Sequence, residues 1–559
     1  MRRRDFITGA AGAGLAGPAM AQQLASTVVK QKPDLGTDLA ILNGRIWTMD
    51  PSRPRAQAAL VRAGRIVHVG SNAEVQGMAR GVRRIDAGGR TVVPGFIDSH
   101  THLEIASYYY AGLQSDVHSP PMTSVPQILG VLRAQAARTE PGRWVIGRGS
   151  FGLQNLLAEK RFPTRLELDT VSERHPVVFM GGFHGWSMNT MAFKMLKLWD
   201  PAEAREIRWR DGRRKVGTDV ARDADGRPTG VVTETFDLIP NDAHTYAEKR
   251  EALRTQVVPN FSSKGITSVV TIPLFDDDMP VVQELQAQGQ LPMRVRYYPT
   301  VPAMISLESV RQFALSPGFG DDMLRFGGIK IFVAGAGYDA ALKPVTDLKW
   351  TQEELDDVVW RAHKQGLQIL MHQAGDSLRN TLAAVEKAQA RLPRDLRHRL
   401  EHYSTLTPEE MVRMRRLGMK VAITAPNGRG ARPAGWAAQP VPRYRTMIEQ
   451  GLEPVAISDA TGTVPFFSPM LGIGGMVASP QEGGSAPAGQ SPDLEDAIRM
   501  FTQWAANSIF EGDAKGSITP GKLGDFAILD RDLTTTKAAD LFDVKVDATV
   551  LGGRPIFER

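Results

Sequence analysis

Between residues 266 and 459 the chain repeats one unit: a short apolar run, a turn, an amphipathic stretch and another apolar run. Strands in such βα units are apolar on both faces, and a parallel sheet covered by helices is what buries them. The stretch "TQEELDDVVWRAHKQG" shows the punctuation of one helix. Thr351 and Glu354 form a capping box, Leu355, Val358, Val359 and Ala362 share a face, and Gly366 can close the end. "TPEEMVRMRRLG" repeats the scheme, with Thr407 as cap, Pro408 in the first turn and Gly418 past the end. Strands are expected near 266–272, 293–299, 328–333, 367–372, 399–403, 420–425 and 454–459, with an eighth at 94–100. Eight such strands close an α/β (β/α)8 TIM-like barrel over residues 94–514, with residues 105–245 inserted after the first strand. A doubly wound open sheet is the alternative, disfavoured because no glycine-rich phosphate fingerprint follows an early strand. Residues 472–492, rich in Gly, Ser and Pro, read as a mobile loop and a candidate lid.

The two ends of the chain differ from this middle. Residues 38–93 alternate apolar runs with glycine turns ("LAILNGRIWTMD", "AALVRAGRIVHVG"), and residues 515–559 do the same ("GKLGDFAILDRD", "ATVLGGRPIFE"). Neither piece supplies enough strands for a stable sheet, so one small β-sandwich domain built from both ends is expected. The opening "MRRRDFITGAAGAGLAGPAMAQQ" carries Arg3-Arg4-Asp5-Phe6-Ile7, an apolar stretch too short to span a bilayer, and Ala19-Met20-Ala21 as a cleavage site. That order predicts a twin-arginine signal peptide over 1–21, the twin-arginine export machinery as a partner, and a periplasmic or secreted mature protein. A disordered basic tail or an uncleaved anchor is the rival. No other stretch predicts a membrane span. A net charge of +6 over 559 residues, with no basic stripe interleaved with aromatics, predicts no nucleic-acid partner. The chain has no cysteine, so any metal site must use nitrogen and oxygen donors. Nothing in the sequence sets the oligomeric state.

"VVPGFIDSHTHLE" (92–104) carries the first chemistry. Strand side chains alternate, so His100 and His102 face one side and can share a cation. Alone, the pair also fits two hydrogen-bonded core histidines. Lys330, His372, His402 and Asp459 shift that balance. Each ends a later strand, and in a barrel those ends converge on one rim, where active sites are built.

"VVPGFIDSHTH" followed by K, H, H and D at successive strand ends resembles the amidohydrolase superfamily of metal-dependent hydrolases. Within it, the chain is similar to the YtcJ-type group (amidohydrolase family 3), which includes formamide deformylases. Further matching stretches are "FPTRLELDTVSERHPVVFMGGFHGWSMNTMAF" (162–193), "DGRPTGVVTE" (225–234), "HQAGD" (372–376), "RLEH" (399–402) and "GSITPGKLGDFAILDRD" (516–532). The resemblance implies two divalent metals, zinc by preference, with a single metal as the alternative. It places His100 and His102 on the more buried metal, His372 and His402 on the second, and Lys330 between them as a CO2-derived carbamate. A lysine desolvated beside cations loses its proton more easily, which that carboxylation requires. Asp459 is implied as a ligand of the first metal and as the carrier of the proton from water to the leaving amine. Glu234 is the replacement bridge if Lys330 is unmodified, and falls on the substrate side with His184 and Asn189. For those last two a capped turn is the alternative.

The implied activity is hydrolysis of a carbon–nitrogen bond other than a peptide bond, in a small amide or formamide, by attack of metal-bound hydroxide. Ester or lactone hydrolysis would use the same site. A metal-dependent isomerase or lyase is a different class, and a secreted solute binder is a third. Ala334 before Gly335, and Thr461 two residues after Asp459, depart from the family's usual pattern and bear on the substrate rather than on the metals.

Overall fold

The computed structural model describes residues 38–117, 122–201, 220–233, 238, 243–302, 304–312, 315–334, 350–373, 377–402, 405–426, 428–430, 442–460 and 467–559. The expected signal peptide, Glu234, Gly335 and Thr461 lie outside the described residues.

Two parallel sheets form the centre of an α/β fold. The first places β1 (Phe96–Thr101), β2 (Ile266–Thr271) and β3 (Arg294–Tyr297) side by side, with Leu324–Phe326 beyond β3. The second runs in chain order through β4 (Gly328–Phe332), β5 (Gln368–His372), β6 (Arg399–Glu401), β7 (Lys420–Thr424) and β8 (Val455–Ile457). The register pairs Phe332 with His372, His372 with Glu401, and Thr424 with Ile457, so the strands finish nearly level. Backbone hydrogen bonds join the two sheets at both edges. Val301 N donates to Lys330 O at 2.8 Å on one side, and Asp459 N donates to His100 O at 2.9 Å on the other. Residues of β1, β2, β4, β5, β6 and β8 are buried throughout, which fits apolar strands with helices outside them.

The helices between strands begin where their caps predict. Thr351 accepts from Glu354 N and Thr407 from Glu410 N, each at 3.2 Å within a full capping box. Gly366 and Gly418 follow them at φ +79° and +66°, a backbone region that a side chain would strain.

Residues 472–492 do not form one loop. Pro469–Val477 is a mostly buried helix, and its glycines are there for close packing. A Cβ on Gly475 would stand 2.5 Å from Pro426 Cβ, and one on Gly472 would press on Ala425 and Phe501. A glycine-rich run therefore resembles a loop in composition while acting as a tight helix contact.

Two further sheets lie beside this centre, the first made of residues 39–86 alone and the second joining both ends of the chain. One orders Arg65–Gly70, Ala58–Arg62, Leu39–Leu42 and Arg83–Asp86. The other joins Arg45–Trp47 and Thr91–Pro94 to Phe526–Leu529, Val546–Leu551 and Arg554–Glu558, with Val92 opposite Ile528 and Pro94 opposite Phe526. Leu39, Ile41 and Val61 from the first pack with Val92, Phe526, Ile528 and Val550 from the second in one core. Between β1 and β2 a separate mixed sheet contains Val145–Gly149, Val177–Gly181, Gly185–Met188 and Pro228–Thr233.

Candidate metal centre

The polar groups at the strand ends are fixed from behind. His100 Nδ1 lies 2.5 Å from Glu401 Oε2. Burial opposes the charge on Glu401, but Arg399 and His100 hold its carboxyl well below the usual range, so it accepts and the Nδ1 donates. His102 Nδ1 lies 2.8 Å from the Ile272 carbonyl and carries a proton for the same reason. Both rings therefore turn Nε2 outward, and each Nε2 stands 3.4 Å from Asp459 Oδ1. His402 Nδ1 lies 3.9 Å from Asp459 Oδ2 and 3.3 Å from Thr424 Oγ1. One ligand atom each from His100, His402 and Asp459 falls within 4.8 Å of the other two.

His402 and Asp459 both adopt left-handed backbone, at φ +63° and +51°. Such φ values are uncommon away from glycine and mark a strained position. On β6 the reason is visible. Arg399 and Glu401 share one side by strand alternation, and the left-handed turn at the next residue brings His402 to that side too; its ring centroid is 4.5 Å from that of His100.

His372 ends β5 with its ring centroid 5.0 Å from that of His402, and His184 lies 5.3 Å beyond His372. Lys330 is buried on β4, and its Nζ makes no hydrogen bond among the described residues. Burial pushes its ammonium down to about 8, against the pull of Glu401 and Asp459. The strand ends thus bring His100, His102, His372, His402, Asp459 and, on the adjoining sheet, His184 together. Asn189 performs the capping alternative: its Oδ1 accepts from Ala192 N at 3.0 Å and Val177 N at 2.9 Å, and its Nδ2 donates to His175 O at 3.0 Å.

The charge state of this cluster tests whether it suits a cation. Burial pushes the His100 imidazolium down to about 4, and the Lys330 charge acts in the same direction. Burial also takes His402 well below its ordinary value. For Asp459, burial alone would raise the carboxyl, but His402, His102 and His100 outweigh it and hold the group ionised. The carboxylate is thus held ionised by positive charge at the imidazole nitrogens around it, a role that a bound cation fills where burial keeps His100 and His402 from holding protons of their own. Buried acceptors in that arrangement call for a cation, and an all-nitrogen and oxygen donor set suits a zinc-like divalent ion. One cation position is defined among the described residues, by His100, His402 and Asp459.

Three groups at this centre carried no individual signal in the sequence. Glu401 was visible only as a letter of "RLEH". Phe183 packs on His102 with centroids 4.6 Å apart, and the buried Arg148 guanidinium lies 5.2 Å over the Phe183 ring. Strand alternation hints at Glu401, two residues after Arg399. Phe183 and Arg148 come from the inserted sheet, whose placement no local pattern encodes.

The model of the amidohydrolase family matches residues 83–557. The N-substituted formamide deformylase of Arthrobacter pascens is 27% identical over 556 residues, covering 93% of this chain and 98% of that protein. The YtcJ protein of Bacillus subtilis (strain 168) is 26% identical over 558 residues, covering 92% and 98%. The crystal structure of an uncharacterized metal-dependent hydrolase from Pyrococcus horikoshii OT3 superposes with a TM-score of 0.66 at 20% identity, over 90% of this chain and 99% of that one, so the fold is shared. Matched over most of its length and bearing a buried imidazole–carboxylate cluster at the ends of its parallel strands, the chain belongs to the amidohydrolase family.

Proposed function

We propose that the protein is a metal-dependent hydrolase that cleaves a carbon–nitrogen bond other than a peptide bond in a small amide of the formamide type. The observation that carries this reading is the convergence of the His100 and His102 Nε2 atoms and the His402 ring on Asp459 at the ends of the parallel strands. The substrate class is supported by the name of the Arthrobacter relative. The edge hydrogen bonds between the two parallel sheets support a closed eight-stranded barrel over 94–514, interrupted at 105–245. Their flanking sheets support a small β-sandwich domain of 38–93 and 515–559.

In this reading His100, His102 and Asp459 would hold a first zinc, and His372 and His402 a second, with His402 close to both positions. The buried Nζ of Lys330, without a hydrogen bond among the described residues, would suit a carbamate between the two. Bound there, divalent metal supplies Lewis-acid polarisation of the scissile carbonyl and makes water nucleophilic near neutral pH. The chain's own groups do the rest. Asp459, which presents Oδ1 to both β1 histidines, would take a proton from water and return it to the departing amine. His184, beside His372, would hydrogen-bond the substrate carbonyl or another polar group, and Phe151, Phe183 and Phe332 crowd the imidazoles, which would exclude bulk water. The acyl carbon gains oxygen from water, its bond to nitrogen breaks, and the amine leaves with the proton.

The twin-arginine pattern at residues 3–7 supports export to the periplasm or beyond. No helix of the described residues is long and apolar enough to cross a membrane. Elemental analysis of purified protein, combined with turnover of N-substituted formamides in 18O-water, tests the proposal. Bound zinc, turnover abolished by chelation and one labelled oxygen in the formate are expected. Undiminished turnover by metal-free protein would overturn it.

A further inference from the structure

We propose that Glu401 is a positioning residue for His100, and that the buried Arg399–Glu401–His100 chain sets how tightly the centre holds its cation. The inference rests on the metal-dependent reading and deepens it. Glu401, Arg399 and His100 are all at most 1% exposed. A carboxylate in such a place is costly unless its lone pairs are met, and three donors meet these: His100 Nδ1 at 2.5 Å, Arg399 Nε at 2.5 Å and Arg399 Nη2 at 3.1 Å. The guanidinium cannot swing away. Its Nη2 also donates to the Ser99 carbonyl at 2.6 Å and its Nη1 to Ser508 Oγ at 3.3 Å, tying β6 to β1 and to the helix Gln503–Ser508.

The two β1 histidines are thereby treated unequally. Both present Nε2 to the same Asp459 oxygen at the same distance, yet His102 is held by a neutral carbonyl and His100 by an anion. A carboxylate behind a ligating imidazole fixes the ring, selects the tautomer and raises the basicity of the outward nitrogen. His100 is accordingly the stronger donor. Arg399 offsets the charge of Glu401, so the site gains a basic ligand without a second free anion. Consecutive placement explains the strain at the next residue, because one short strand delivers both the support for His100 and the imidazole of His402.

Zinc binding to apoprotein, titrated against a chromophoric chelator, tests this without relying on turnover. Glu401→Gln keeps the shape and an acceptor while removing the charge. It should weaken zinc binding about 10–100-fold, lower kcat, and leave KM within about twofold because no substrate contact is lost. Where the single variant does not fold, Arg399→Gln/Glu401→Gln supplies a neutral pair of similar volume and is judged by the same criterion. A folded variant that binds zinc as tightly as the parent would reduce Arg399–Glu401 to an ordinary core ion pair. Parent protein that takes up no zinc would sink the metal-dependent reading and this inference with it.

Discussion

Two buried charge clusters occupy opposite ends of the parallel strands, and they are built on opposite principles. Near the start of β3, Arg294 meets Asp525 through two bonds of 2.7 and 2.9 Å. Glu511 pairs with Arg296 and, at 2.7 Å, with Lys515, whose Nζ also reaches Ser268 Oγ at 3.1 Å. Each of these cations faces a carboxylate, and the cluster is closed. At the far end, His100 and His102 turn Nε2 toward the ionised Asp459, their Nδ1 atoms already committed to Glu401 and the Ile272 carbonyl. Burying charge therefore does not mark function by itself. A closed cluster holds elements together, whereas an excess of lone pairs creates a demand that an external ion meets.

The strongest way to break this contrast is to remove the proton carrier from the open cluster. Asp459→Asn should cut kcat by about 10²–10⁴-fold while the folded protein still melts near the parent temperature; turnover at the parental rate would take Asp459 out of the chemistry. Lys330→Ala should lower the metal stoichiometry and recover part of its activity with added acetate or propionate, which elemental analysis and rescue kinetics would read. Two fully occupied metals in that variant would instead favour Glu234 as the bridge. At the closed end the sign of the outcome reverses. Arg294→Met strands Asp525 without its partner and should cost about 3–5 kcal/mol of stability in urea denaturation, with kcat/KM and metal content unchanged in protein that remains folded. Smallest is Asn189→Ala, which removes a helix cap and should cost about 1 kcal/mol; a collapse of kcat at intact stability would return Asn189 to the substrate side.

The same contrast explains what the sequence disclosed. Eight strands stand where apolar runs and caps placed them, because periodicity and capping are local signals. His100 and His102 share a face by their spacing, and the residues ending later strands turned that pair toward a metal reading. Glu401 gave no such signal, since its partner is 301 residues away and no local pattern specifies that meeting. The helix Pro469–Val477 was hidden for another reason: the glycines that admit Pro426 and Phe501 are the residues that composition assigns to loops. In the inserted sheet, "GFHGWSMN" contained a histidine that reaches the centre and an asparagine that caps a helix, and adjacent letters did not distinguish those duties.

The pairing of Val92–Pro94 with Phe526–Ile528 has a consequence for biosynthesis. The strand leading into β1 finds this neighbour only after the chain has been made through residue 528, and contacts so distant along the chain form slowly. Until then Thr91–Pro94, apolar and buried in the finished molecule, presents a bare edge that nascent-chain chaperones would be expected to shield. Docking of the distant 526–529 strand is consequently expected late in folding, where it completes the floor beneath β1.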